Sequence, residues 1–195
     1  MTRYLSSPRT FVDWILKNLL TPGCSAIDAT CGNGQDTLKL CRLCLTEGGE
    51  ETIFAIDLQK EAIERTKQLL QGQLTTSQLR RVRFIHASHE RFPLEAKQLP
   101  ISLIIYNLGY LPGSDRSLTT QVATTLTSLE EAIKLVRTGG SILISCYPGH
   151  EEGLREEAAL LKFTASLSPR SWLVSHQRWP NREACPSVLL LTKTQ

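Results

Sequence analysis

Two features of the sequence could together hold the adenosine part of a cofactor. The first is the segment Asp28-Ala29-Thr30-Cys31-Gly32-Asn33-Gly34-Gln35-Asp36-Thr37. Gly32 and Gly34 let a backbone approach a ligand where a side chain would collide, and Asp28 makes the turn acidic. The second is Asp57, one β-α-β unit further on, whose carboxylate could accept both ribose hydroxyls. Gln59 could add a polar contact there or simply start a helix. A dehydrogenase-type turn would want a third glycine at position 37, where Thr37 stands. The turn lies closer to the acidic, glycine-rich turn of methyltransferases. The pair of signals by itself does not choose between NAD and S-adenosylmethionine, since each carries an adenosine.

Three further segments fall where strands should end. Ser88-His89-Glu90 would face the adenine end of such a pocket, although Ser88 could equally cap a helix. Asn107-Leu108-Gly109-Tyr110-Leu111-Pro112 offers a side-chain oxygen and a backbone carbonyl that could hold the N–H bonds of an attacking amine. Tyr110 could stack on a base. Tyr147-Pro148-Gly149-His150 should lie next to it, with His150 or Asp115 available to carry a proton away. Arg116, and the cluster Arg80, Arg81 and Arg83, could meet phosphates, although an ordinary solvated surface also accounts for the cluster.

Those positions require strands alternating with helices. Residues 7–20 carry Phe11, Ile15 and Leu19 at helical spacing, and Thr21-Pro22-Gly23 ends the run. Strands are expected at 24–29, 52–56, 82–85, 101–106 and 141–146, with helices to Leu45, over 60–70, over 117–136 and over 151–165. Thr138-Gly139-Gly140 reads as a turn between the last long helix and its strand. Two closing strands, 171–176 and 187–192, have no helix between them and should pair antiparallel at one edge. The pattern gives an α/β fold: a Rossmann-like, doubly wound, mostly parallel sheet in a single domain over residues 1–195.

Composition sets the outer limits. The 195 residues are 41% hydrophobic and 21% charged, which is ordinary for a globular chain. A net charge of +3 permits a nucleic-acid partner without demanding one. Of six cysteines, Cys41 and Cys44 form a lone C-x-x-C inside a helical run, with no second pair to complete a zinc site, so buried thiols are expected and no metal. No apolar run reaches the roughly 18 residues of a membrane span. The N-terminal stretch lacks a secretory pattern, which makes the cytoplasm the expected location.

DATCGNGQDT, FAIDLQ, ASHE, NLGYLPGSD, CYPGHEEG and NREACP, in this order over nearly the whole chain, resemble one family. It is the small bacterial and plastid group first labelled rRNA methylases and since associated with methylation of 5-aminomethyl-2-thiouridine at the tRNA wobble position. The resemblance implies a class I methyltransferase fold, S-adenosyl-L-methionine as donor and the anticodon stem-loop of tRNA as substrate. By matched position it implies cofactor contacts at Asn33, Gln35, Asp57, Gln59, Ser88 and His89. Its substrate side would draw on Asn107, Tyr110, Tyr147 and His150. The chain departs from the family's usual pattern at Gly113-Ser114-Asp115-Arg116 and at Pro186-Ser187. The competing readings are methylation of rRNA or of a small-molecule amine, a nicotinamide-dependent oxidoreductase, and a non-catalytic binding module. The absent third glycine and the lack of a Tyr-x-x-x-Lys pair weigh against the oxidoreductase.

Overall fold

The computed structural model describes residues 7–109 and 120–195. Seven strands form one sheet in the order β3-β2-β1-β4-β5-β7-β6: β1 Ser25–Asp28, β2 Ile53–Asp57, β3 Val82–His86, β4 Ile101–Asn107, β5 Val136–Cys146, β6 Trp172–Gln177 and β7 Ser187–Lys193. The first five run parallel, and β7 pairs antiparallel with both β5 and β6. The expected antiparallel pairing is therefore present at that edge, with β6 outermost.

The helices are α1 Pro8–Leu19, α2 Gln35–Cys44, α3 Lys60–Gln71, α4 Thr76–Leu79, α5 Val122–Leu135 and α6 Glu151–Ala165. The Ser7 hydroxyl accepts the Thr10 N–H and Pro8 opens the first turn, so the start of α1 is fixed by its own sequence. The short α4, with a Thr75/Gln78 capping box, and a 3₁₀ turn at Ala96–Gln98 were not anticipated.

β4 shows how the sheet is buried. Leu103 and Ile105 enter the core that holds Leu16, Leu40 and Cys41 from α1 and α2, whereas Ile104 and Tyr106 enter the core under Leu129 of α5 and Leu160 of α6. An apolar run without alternation is what a strand covered on both faces requires. Cys41 and Cys44 are fully buried in the first core, as the helical pattern implied.

Two boundaries differ from expectation. The long helix was expected from Ser117; residues 117–119 lie outside the described residues, and the described helix starts at Val122. Thr120 is drawn out of the helix because it pairs with Gly109, donating its N–H to the Gly109 carbonyl and accepting the Gly109 N–H at its hydroxyl. At the other end, Val136 already belongs to β5. Thr138-Gly139-Gly140 is a bulge inside that strand rather than a turn before it. Ile101 pairs with Val136 and Leu103 with Ser141, leaving surplus residues on β5. Gly139 sits at φ +75°, and a Cβ on Gly140 would lie 2.8 Å from Val136 Cγ2 and 3.0 Å from two backbone oxygens.

The chain leaves β1 for β2 and β3, then crosses back to β4. The sheet thus reverses its winding between β1 and β4, and a crevice opens beyond their carboxyl ends. Ala29 and Thr30 tie the two strand ends together: the Ala29 N–H donates to the Ile105 carbonyl and the Asn107 N–H to the Thr30 hydroxyl. Among the described residues, no helix is long and apolar enough to cross a membrane.

Candidate functional site

A cleft of about 1130 Å³ lies on that crevice. Gly32, Asn33, Gln35, Asp57, Gln59, Ser88 and His89 line one part of it. Asp57 is oriented by two backbone donors: the Gly32 N–H meets Oδ2 at 2.9 Å and the Gln59 N–H meets Oδ1 at 2.9 Å. Each oxygen keeps a further lone pair for a hydroxyl, the requirement for holding a ribose diol. Burial pushes the Asp57 carboxyl above its ordinary range, against the pull of those two bonds. His89 is buried at the cleft wall, edge-on to Tyr106 at 6.1 Å, and its Nε2 has no hydrogen-bond partner among the described residues. Burial lowers its basicity, so the ring is neutral and ready to bond a polar ligand edge. The Tyr106 hydroxyl meets Ser128, whose hydroxyl donates to the His89 carbonyl, and this fixes the loop. Ser88 does not cap a helix. Its hydroxyl donates to Glu90 Oε2 at 2.8 Å and accepts the Glu90 N–H. The orphaned ring nitrogen and the braced carboxylate fit the adenine and ribose of S-adenosylmethionine.

Two expected contacts stand back from the cleft. Asp28 is buried beneath it, accepting the Thr37 hydroxyl at 2.6 Å and the Thr30 N–H at 3.3 Å. Burial and the nearby Asp36 raise its carboxyl to about 7. Gly34 faces α3 rather than the cleft: a Cβ there would meet Thr66 at 3.0 Å. With φ at +78°, its glycine serves the helix start and the packing of α2 on α3.

The other end of the cleft is built around Asn107. Its Nδ2 donates to Asp36 Oδ2 at 2.5 Å. A carboxylate only accepts, so the amide orientation is fixed and Oδ1 is left as an acceptor. Asp36 also pairs with Lys39 at 2.7 Å, and Lys39 with Asp13 at 2.6 Å, which links α1 and α2 to the end of β4. Burial alone would lower the Lys39 ammonium, but Asp36 and Asp13 outweigh it and hold it above its ordinary range. Tyr147 lies against Gly109, which sits at φ +116°. His150 is the N-cap of α6, with Nδ1 accepting the Gly153 N–H at 3.1 Å. With Nδ1 accepting, the ring hydrogen of this tautomer sits on Nε2. This alters the expected role of His150, because the ring could take up a further proton only at Nδ1, which would cost the cap.

Glu156 braces the same region from below. Its Oε1 accepts the Thr125 hydroxyl at 2.5 Å, and its Oε2 accepts that of Thr120 at 2.8 Å, the residue paired with Gly109. Burial raises its carboxyl above the ordinary range, against both threonine bonds. Asp36, Glu156 and the α1 contribution to the cleft, Ser7, Pro8, Arg9 and Val12, were not singled out from sequence. Tyr110, Asp115 and Arg116 lie outside the described residues.

The arginine cluster at β3 is committed elsewhere. Arg81 pairs with Glu51 at 2.6 Å and donates to the Thr46 carbonyl. Arg83 pairs with Glu95 at 3.0 Å and donates to the Arg80 carbonyl. Two of its three guanidinium groups thus serve the protein's own surface.

Comparison with known proteins bears on the family. A chloroplastic tRNA (mnm(5)s(2)U34)-methyltransferase of Arabidopsis thaliana is 29% identical over 184 residues, covering 93% of this chain and 67% of the plant protein. A crystal structure described as an rRNA methylase of Clostridium thermocellum is 30% identical with a TM-score of 0.85, covering 96% of this chain and 97% of that one. A Streptococcus mutans methyltransferase structure in complex with SAH is 28% identical with a TM-score of 0.79, covering 99% of both chains. The family model described as "Putative rRNA methylase" matches residues 53–193. With that match spanning β2 to β7, the chain belongs to this methyltransferase family.

Proposed function

We propose that this protein transfers a methyl group from S-adenosylmethionine to an amine nitrogen on RNA, namely the aminomethyl group of 5-aminomethyl-2-thiouridine at the tRNA wobble position. The observation that carries the reading is the fixed carboxamide of Asn107, a residue that lines the same cleft as the Asp57 and His89 cradle. The Arabidopsis relative, which acts on such a tRNA position by its name, supports the choice of acceptor.

S-adenosylmethionine supplies a methyl already activated by its sulfonium. The protein's task is then positioning. Asn107 Oδ1 and the Leu108 carbonyl accept the amine N–H bonds and turn the nitrogen lone pair toward the donor end of the cleft. The amine must be neutral to react. With an amine pKa of about 9–10, deprotonation at pH ~7.5 costs about 2–3 kcal/mol, small enough that no strong base is required. Tyr147 gives a flat surface beside Gly109.

The test is nucleoside mass spectrometry. Purified protein is incubated with S-adenosylmethionine and tRNA carrying the unmethylated aminomethyl group, and the tRNA is then digested. One added methyl on that nucleoside is expected. Methylation of rRNA with none on tRNA would overturn the acceptor, and no transfer to any RNA would overturn the reading as a whole.

A further inference from the structure

Three arginines without an ion-pair partner among the described residues stand near the cleft, away from the cluster that the sequence pointed to. Arg9, at the start of α1, is exposed and lines the cleft. Arg178 and Arg182 are exposed on the connection between β6 and β7, whose Ala184 and Pro186 line the same cleft. None of the three has an ion-pair partner among the described residues, in contrast to Arg81 and Arg83. The two segments are fastened together by aromatic packing. Trp179 meets Phe11 edge-on at 5.8 Å, and Phe11 stacks against Trp14 at 6.2 Å with an interplanar angle of 17°. Trp14 nevertheless leaves 43% of its surface in solvent. The nearby carboxylates are Asp13, which Lys39 neutralises, and Glu183 on the connection itself.

We propose that this rim, made of α1 and the β6–β7 connection, is the surface that grips single-stranded RNA and leads a nucleotide into the Asn107 end of the cleft. The inference rests on the reading that the acceptor is RNA, and adds where that RNA is held. Guanidinium groups and an exposed indole carried on two segments joined by ring packing match the needs of an unpaired strand: cations for phosphates and a flat face for a base. Arg178 and Arg182 bind phosphates, Trp14 stacks with a base, and Arg9 meets the backbone where it enters the cleft. Phe11 and Trp179 hold the two halves of the rim in register.

The test uses the full chain and a fluorescent RNA hairpin with an unpaired loop, titrated at several salt concentrations. The variants are Arg178→Glu with Arg182→Glu, and Trp14→Ala; Arg80→Glu with Lys162→Glu supplies the same charge change away from the cleft. The rim double variant should weaken binding about tenfold or more and flatten the logarithmic salt slope by about 1.4, the loss of two single-strand contacts. Trp14→Ala should weaken binding about fivefold or more with the slope unchanged. S-adenosylhomocysteine affinity, read by calorimetry, should be the same in all of them. If the wild type binds the hairpin and the rim variants behave like the charge control, the inference falls while the RNA reading stands. If light scattering shows that Trp14→Ala dissociates a dimer with RNA affinity intact, the rim is a subunit interface instead. A wild type that binds no hairpin at any salt overturns the RNA reading along with the inference.

Discussion

In the proposed reaction, the hydrogen bond between Asn107 and Asp36 sets which atom meets the amine. Without Asp36 the Asn107 carboxamide could present either its oxygen or its NH2 group to the cleft, and an NH2 group would repel an amine's hydrogens. The 2.5 Å bond to Asp36 removes that ambiguity. Asn107→Ala should lower kcat for methyl transfer about 100-fold, the scale of losing one transition-state hydrogen-bonding group, with S-adenosylhomocysteine affinity unchanged by calorimetry. Asp36→Asn keeps a possible acceptor for Asn107 but loses its charge and the Lys39 pair. It should cost about tenfold in kcat, because charge-assisted bonds are roughly twice as strong as neutral ones. If Asp36→Asn instead raised the donor's Kd and left kcat alone, Asp36 would belong to cofactor binding. Asn107 could be singled out in the sequence because it ends an apolar run. Asp36 could not, because its partner lies across the β1–β4 crevice and far away in the chain.

At the level of elements, strand and helix spacing was legible because burial on both faces of a parallel sheet leaves continuous apolar runs such as residues 103–106. Legibility failed where tertiary contacts overrode local preference. Thr120 leaves the helix pattern to pair with Gly109, and Gly139-Gly140 reads as a turn although it forms a bulge within β5. The turn after β1 holds a second element-scale consequence. Asp28 titrates near 7 in the folded chain, above its unfolded value, so folding favours its protonated form. That contribution is fully present below the unfolded pKa and is lost as the pH rises through about 7, the complete loss amounting to about 4 kcal/mol. Asp28→Asn should therefore melt higher than the wild type at pH 8, with the gap narrowing steadily as the pH falls toward 4. Thermal melts across that range check it. A gap that does not change with pH would mean Asp28 is not a buried acid of raised pKa.

Across the whole molecule, the sheet's reversal between β1 and β4 gathers described residues from eight segments of the chain into one cleft. The donor side was the more legible half, since the glycine turn and Asp57 sit within one β-α-β unit. The acceptor side draws on α1, the β6–β7 connection and the start of α6, brought together only by the completed sheet. A protein with a net charge of +3 offers little global attraction for RNA, so on the proposed reading recognition would rest on where arginines such as Arg178 and Arg182 stand. The measurement that tests the central claim most directly compares acceptors under one condition: the rate of methyl transfer from labelled S-adenosylmethionine to intact tRNA bearing 5-aminomethyl-2-thiouridine, against the rate to the same nucleoside free in solution. The account predicts efficient methylation of the tRNA amine, with the free nucleoside a much poorer substrate. Equal efficiency on both would contradict it, because a small-molecule amine would then satisfy the cleft and RNA would have no part in recognition.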